Sequence, residues 1–598
     1  ILAVVWAYVY FVVDPRINFD RAWVPFYFEE SFFAQLVRRP GGLLHYAAAF
    51  TLQLDQFRGT GALVTTLLVG ILGCVFWKPL PRQKVFWCLV PILPGLTVLA
   101  VETRYAEAAY ELAFGILIAS LMLLAFKNLR SGSSLARGTV FVLFSIVVLW
   151  IGGGLPALAF VVSVLVIEMR RTRSLAISRF YAAWTLVIVG YALTHWNALA
   201  RELVGTRSDA VASLARSLAY LSVPLLGALC SVKFSQPAVQ PGSKSCDSIS
   251  CYTKKGFIES CVLERRKRIF LIVASGVAGV VLCFISDKGA RLSSRIELAA
   301  RECRWEEVLQ SARKLKTWPS PVVRLAIARA LYHTGKLHQE LFAYPQVKGV
   351  EILPWLRESL DICDLLADTM LELGQVNLAD HFAHESLELK GERPHTLWQL
   401  ARIYVLKDQP KAASVFLKRL SHIPFHRTRA EKRLQLIRSD PALSNEPDIS
   451  RIRSLRVTTD IADSGLPTET VLNQCLSSNR RNRMAFELLI AHYLLEDRPE
   501  PVVKSLDSLG EFGIWQTPRH IEEAILLYNS IASDTNAVHV TRPISADTNR
   551  RFERFRATMA AHGGRASEAR TALVREFGDT YWYYHFFGQT YGAAIDIR

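Results

Sequence analysis

Cysteine is scarce, with 10 in 598 residues, no CxxC pair, and no histidine near the three thiols Cys246, Cys251 and Cys261. A disulfide framework is thereby excluded, and a structural zinc site has little to build on. Catalytic signatures are also missing. There is no Walker loop, no GxGxxG behind a strand, no GxSxG elbow and no kinase set. His381 and His384-Glu385 cluster without the HExxH spacing of a zinc hydrolase and read as surface histidines. Acidic residues are the minority sign, 53 against 70 Lys and Arg. Collagen-like, disordered and disulfide-scaffold classes fall away on composition. At roughly 150 residues per domain the length suggests about four soluble domains. A mean hydropathy of +0.21 is too apolar for that.

What is present divides in two. Up to about Ser286 the chain is a series of apolar runs; from Asp287 it reads as soluble and helical. About nine runs approach the length of a membrane span. They are Ile1–Val13, Gly61–Trp77, Val85–Val101, Ala109–Phe126, Gly138–Ile151, Leu155–Met169, Phe180–Trp196, Leu218–Val232 and Ile269–Ser286. The first is short and lacks an initiator methionine, so the chain is expected to start inside a helix. The fifth and sixth meet at Gly152-Gly153-Gly154, as a tight hairpin or as one kinked element. The expectation is an all-α chain: a polytopic bundle over 1–286, then a helical-repeat domain over 287–598.

Loop charge sets the orientation. Lys78, Arg82 and Lys84 fill the second loop, Lys127, Arg130 and Arg137 the fourth, and Arg170, Arg171, Arg173 and Arg179 the sixth. The eighth runs from Lys233 through Lys244, Lys254 and Lys255 to Arg265-Arg266-Lys267-Arg268. The intervening loops carry no positive excess. A cytoplasmic N-terminus in a bacterial inner membrane follows, with the first loop and the C-terminal domain on the periplasmic side. The net charge of +17 then marks loops facing anionic lipid, and nucleic acid is not an expected partner.

Beyond about Ser294 the apolar period becomes that of paired helices. Turns are expected near Arg304, Gly335, Gly374 and Asp408, at spacings of roughly 31–39 residues around a period of about 34. The unit Trp398, Leu400-Ala401, Tyr404, Asp408, Ala413, Phe416-Leu417, Leu420, Pro424 resembles the tetratricopeptide pattern. Further units are expected at Ala485–Leu509 and Phe555–Phe577, with 427–468 less regular. Such arrays bind protein partners on a concave face, and Trp398, Tyr404, Tyr581 and Trp582 are the candidate contacts. The tail from Tyr581 to Phe587 is expected to cap the last repeat, to dock at the membrane interface, or to form a partner patch.

Chemistry, if present, belongs to the first outer loop, residues 14–60. Aromatics interleave with charges there, as in helices lying in the membrane interface. Glu102, Arg104, Tyr105, Glu107 and Glu111 of the third loop and the triple glycine are expected to converge on it. Carboxylates at such a mouth can hold a divalent ion or act as a base. Arginines can bind a phosphate, and Arg38, Arg39 and Arg104 are the candidates. The bland alternative is that these charges cap helices and solvate the outer face.

The run Glu29-Glu30, Phe32-Phe33, Arg39-Pro40-Gly41-Gly42-Leu43, Tyr46, Phe50 and Gly61-Ala62 resembles an uncharacterised bacterial family of multi-pass membrane proteins, a domain of unknown function. Gly335-Lys336-Leu337, Phe342, Tyr344, Asn377-Leu378-Ala379 and Glu385 extend the likeness into the second half. It implies the architecture and no reaction. In topology the chain is also similar to membrane-embedded glycosyltransferases that use lipid-linked sugar donors. That likeness implies a first-loop carboxylate as base or metal ligand, and Asp14, Asp20, Glu29 and Glu30 are the matching positions. A polyprenyl-phosphate lipid would be the bound partner, with a divalent metal as the one conceivable cofactor. The chain departs from the usual pattern in lacking an acidic pair directly behind helix 1. On sequence, a scaffold acting through the repeat domain leads, the transferase is the alternative, and transport is third.

Overall fold

The computed structural model describes residues 2–21, 26–77, 91–104, 109–129, 134–171, 175–194, 210–231, 281–282, 286–316, 318–346, 348–354, 360–458, 467–531, 542–562 and 566–588. Among them every regular element is helical and there is no strand. The chain divides into two compact units, Ile1–Asp287 and Lys288–Arg598.

The first unit opens with α1, Leu2–Tyr8, which loosens into a π-helical turn at Val9–Val13. The Asp14 N–H reaches back to the Val9 carbonyl (3.0 Å), and α2, Pro15–Arg21, leaves at 56° to the preceding segment. Proline at its first position lacks only an N–H that no helix start can use. The expected run Ile1–Val13 is therefore α-helical only to Tyr8 and π-helical to Val13, and the bend follows it at Asp14. Then come α3 (Glu30–Val37), α4 (Gly42–Leu52), a 3-10 turn (Gln53–Gln56) and α5 (Arg58–Trp77). The unit continues with α6 (Ile92–Thr103), α7 (Ala109–Lys127), α8 (Ser134–Gly152), α9 (Gly154–Arg171), α10 (Leu175–Thr194) and α11 (Ala210–Ser231).

Among the described residues α5, α7 and α8 are long and apolar enough to cross a membrane, and the bent α1–α2 pair makes a fourth if counted as one span. Helix α6 is apolar but shorter. The basic residues at 78–84, residues 197–209 of the seventh loop, the eighth loop, and most of the expected last run lie outside the described residues, while Arg216, expected in the seventh loop, is buried on α11. The triple glycine forms a hairpin. Only Gly153 (φ 86°) separates α8 from α9, and Arg137 near the start of α8 pairs with Glu168 near the end of α9. Both side chains are buried, and Arg137 also donates to the Leu129 carbonyl (3.1 Å) and covers the Phe126 ring.

The second unit is a succession of helices, most of which pack against the next in the chain. It runs α12 (Lys288–Arg301), α13 (Trp305–Ala312), α14 (Pro321–His333), α15 (Leu337–Glu340), α16 (Cys363–Leu373), α17 (Val376–Lys390), α18 (Pro394–Leu406) and α19 (Pro410–Ser421). After these come α20 (Arg427–Ser439), α21 (Pro447–Leu455), α22 (Thr468–Ser478), α23 (Arg483–Leu495), α24 (Pro499–Lys504), α25 (Arg519–Ile531), α26 (Ala546–Ala561), α27 (Ala566–Phe577) and α28 (Tyr581–Phe587). One turn recurs. Cys303, Gly335, Gly374, Asp408 and Asp497 all have positive φ, and the next N–H in each case bonds back to a carbonyl of the ending helix at 2.8–2.9 Å. That 6→1 bond is the Schellman closure, which satisfies carbonyls the helix end leaves open.

Asp364, which is buried, and Asp368 and Glu372, which are partly buried, form an acidic stripe along α16 at i, i+4 spacing. Its counter-charges come from four other helices. Asp364 meets Arg301 (3.3 Å) and Lys390 (3.0 Å), Asp368 meets His395 (3.1 Å), and Glu372 meets Arg329 (2.8 Å). Burial alone would raise all three carboxyl pKa values, but these cations and their hydrogen bonds hold them below the usual range. A carboxylate whose folded pKa is depressed stabilises the fold above its unfolded pKa and loses that contribution as pH falls. Acid titration followed by near-UV circular dichroism is therefore expected to show loss of tertiary signal beginning at about pH 5 and steepening below about pH 4. A signal flat down to about pH 3 would contradict this.

Candidate functional site

The chain's polar residues in the first unit gather where the first loop meets α6 and α7. Asp14 is the pivot. Its φ of 56° and ψ of 93° lie in a region that L-residues seldom occupy, a strain that structures tend to keep where function needs it. The π-helical turn before it is a second irregularity of that kind. Arg16 holds the Asp14 carboxylate with two hydrogen bonds, Nε to Oδ1 (3.0 Å) and Nη2 to Oδ2 (2.7 Å). Arg58, the first residue of α5, approaches Oδ2 to 3.8 Å. Its Nε donates to the Tyr10 carbonyl (2.6 Å), and its guanidinium lies over the Tyr10 ring.

Two more carboxylates lie in the same layer. Asp55, in the 3-10 turn, is 0% exposed, and Glu102, at the end of α6, is 2% exposed. Tyr110 donates to Asp55 Oδ1 (2.5 Å), Thr65 bonds Tyr110 (3.1 Å), and Asn18 donates to Glu102 Oε1 (2.7 Å). Asp55 Oδ2 is buried without a hydrogen-bond partner. Burial pushes the Asp55 carboxyl well above the usual range, and Glu102 adds to the rise, against the opposing bond from Tyr110. The cause is desolvation, which disfavours the charged form of a carboxyl. Gly61 makes the packing possible, since a methyl group there would sit 2.5 Å from Asp55 Oδ1 and 2.6 Å from Pro15 Cβ. At the edge, His45 of α4 bonds Glu111 of α7 (2.5 Å).

The first and third loops thus converge, through Asn18–Glu102 and His45–Glu111. The triple glycine joins them. Gly41 (φ 80°) donates to the Trp150 carbonyl (2.9 Å), and a methyl group on it would lie 3.2 Å from Gly153 Cα. Of the four candidate carboxylates only Asp14 enters this layer. Asp20 is half-buried on α2, Glu29 is half-buried ahead of α3 and accepts from Ser31 (3.3 Å), and Glu30 is exposed. Arg38 and Arg39 are exposed after α3, and Arg104 follows α6. Tyr105 and Glu107 lie outside the described residues. Asn18, Asp55, Arg58 and Tyr110 were not among the sequence candidates. The available signal was an Asp and an Arg placed just before a long apolar run. Among the described residues no three His, Cys, Asp or Glu side chains are grouped to hold a metal ion.

The aromatic candidates of the second unit are occupied internally. Arg429 covers the half-buried Trp398 ring at 4.4 Å, and Tyr404 stacks on Phe416 and bonds His384 (3.2 Å). Tyr581 and Trp582 are fully buried. The Trp582 indole donates to the Glu523 carbonyl (2.8 Å), and the Tyr581 hydroxyl to Asp497 (3.1 Å). Tyr581 to Tyr584 of helix α28 therefore pack inside the second unit, while Phe586 is exposed.

No curated protein and no solved structure matches the chain. A family profile does match, over residues 1–588. With nearly its whole length inside that profile, and with a layer of buried carboxylates to which no activity is attached, the chain belongs to the family of unknown function DUF6057.

Proposed function

We propose that the chain is a bacterial inner-membrane protein of about nine spans with a cytoplasmic N-terminus. The unit after residue 287 is then an extracytoplasmic tetratricopeptide-like solenoid, and the outer mouth transfers a sugar from a lipid-linked donor. The observation that carries the reaction is Asp14, a strained carboxylate ending the first helix between Arg16 and Arg58. In such a transfer the acceptor hydroxyl gives its proton to Asp14 as its oxygen bonds the sugar C1. The bond from C1 to the phosphate oxygen breaks, and the lipid phosphate leaves with the electron pair. In this reading Arg58 supplies the guanidinium that neutralises that leaving charge.

Arg58→Ala is expected to weaken binding of a polyprenyl phosphate to the full chain in detergent by about tenfold, equivalent to about 1.4 kcal/mol. Titration with the radiolabelled lipid measures it. Absence of saturable binding to the unmodified protein would overturn the transferase. The scaffold reading would then stand, supported by the run of helical hairpins closed by one repeated turn.

A further inference from the structure

We infer that the second unit carries a saccharide-binding cleft at Trp515. An open cleft of about 630 Å³ lies between the segment 515–519 and the start of α26, a volume suited to a small ligand. Trp515 at its lip is 80% exposed, the opposite of what so large an apolar ring does in a folded core. The ring is backed on one side. A methyl group on Gly510 would lie 3.4 Å from Trp515 Cζ3, so one edge of the indole rests on the glycine while Trp515 lines the cleft.

Most polar groups lining the cleft already have partners within the protein. Arg519 donates to Glu523 (2.9 Å) and to Asp579 (2.9 Å). Glu522 is buried and accepts from the Ser545 N–H (3.0 Å), the Ser545 hydroxyl (2.8 Å) and the Thr548 hydroxyl (2.6 Å). Arg542 donates to the Leu506 carbonyl, and Asp547 lies 3.5 Å from Arg550. Arg542 keeps its positive charge, since its partner is a neutral carbonyl, but the lining offers no second such cation to a multiply charged anion. What the lining offers is an aromatic platform beside the exposed amide of Gln516 and the outer oxygens of Asp547. A sugar ring answers that combination. Its C–H face lies on the negative face of the indole, and its hydroxyls bond planar amides and carboxylates at the edge. A cationic peptide would require an unpaired carboxylate under the ring, and Asp547 already has its arginine.

This inference stands on the cleft alone and does not depend on transfer chemistry at Asp14. The test uses the full chain in an amine-oxide detergent, free of sugar head groups, on an array of immobilised bacterial oligosaccharides. Binding to at least one glycan, competed by the same glycan in solution, is expected. Trp515→Ala is expected to reduce it by at least about tenfold, or about 1.4 kcal/mol, with Trp515→Phe retaining part. Because the ring is exposed, its removal leaves the core packing intact, and a thermal melt of the variant checks this. An array without binding, or binding that Trp515→Ala shares in full, overturns the inference.

Discussion

Replacing Arg329 by alanine is expected to destabilise the second unit by about 3–5 kcal/mol, the cost of leaving a buried charge without its partner. Arg329 is 2% exposed and donates to both oxygens of Glu372, at 2.8 and 3.4 Å. Its guanidinium also faces the Trp305 ring, which stacks on His333, itself bonded to Glu372 (3.2 Å). Removal leaves the partly buried Glu372 without its arginine, opens space beside Trp305, and withdraws positive charge from Asp368. The control is the double change Arg329→Met with Glu372→Leu, expected to recover most of the loss, because an apolar pair of similar volume avoids desolvating two charges. Urea unfolding of the full chain in detergent, read by proteolysis within residues 288–588, measures both. A loss below about 1 kcal/mol for Arg329→Ala would mean that the pair behaves as an exposed one.

Asp14→Asn is expected to lower glycan transfer by a factor of about 10²–10⁴, the usual worth of a positioned base. Asparagine keeps the shape of the side chain and, with aspartate, is the non-glycine residue that best tolerates positive φ. Folding should therefore survive. The measurement is transfer of labelled sugar from a lipid-linked donor in membranes containing the variant, beside a thermal melt of the same protein. Activity within about threefold of the unmodified chain would remove Asp14 from the chemistry, since a general base contributes far more. A lowered melting temperature with parallel loss of activity would instead make Asp14 a strut for Arg16 and Arg58.

How far these residues could be read from sequence follows from where their partners lie. The apolar runs that became α5, α7 and α8 are local patterns, and so are the turns at Gly335, Gly374 and Asp408, which announce themselves by residue type. Asp14 was visible because it directly follows an apolar run. Asn18 was not, since its partner Glu102 is 84 residues away and nothing in the neighbourhood of either forecasts the pairing. The stripe Asp364, Asp368 and Glu372 has the spacing of a solvated helix face. Only the arrival of Arg301, Arg329, Lys390 and His395 from other helices makes it interior. The tail from Tyr581 admitted three readings on sequence. Tyr581 to Tyr584 pack inside because each polar edge finds an acceptor, down to the Tyr584 hydroxyl on the Leu495 carbonyl (2.5 Å).

The turn that recurs at Cys303, Gly335, Gly374, Asp408 and Asp497 bears on how such a chain changes over generations. Its geometry is written in main-chain bonds, and three different residue types already occupy it. At Gly335, where a methyl group would meet nothing within 4 Å, leaving glycine costs only about 1–2 kcal/mol. At Gly374 a methyl group would lie 2.2 Å from the Leu455 carbonyl oxygen, so there the letter is held while elsewhere it is free to drift. Kinship between distant members of the family would then survive in the path of the backbone after it has faded from the alphabet.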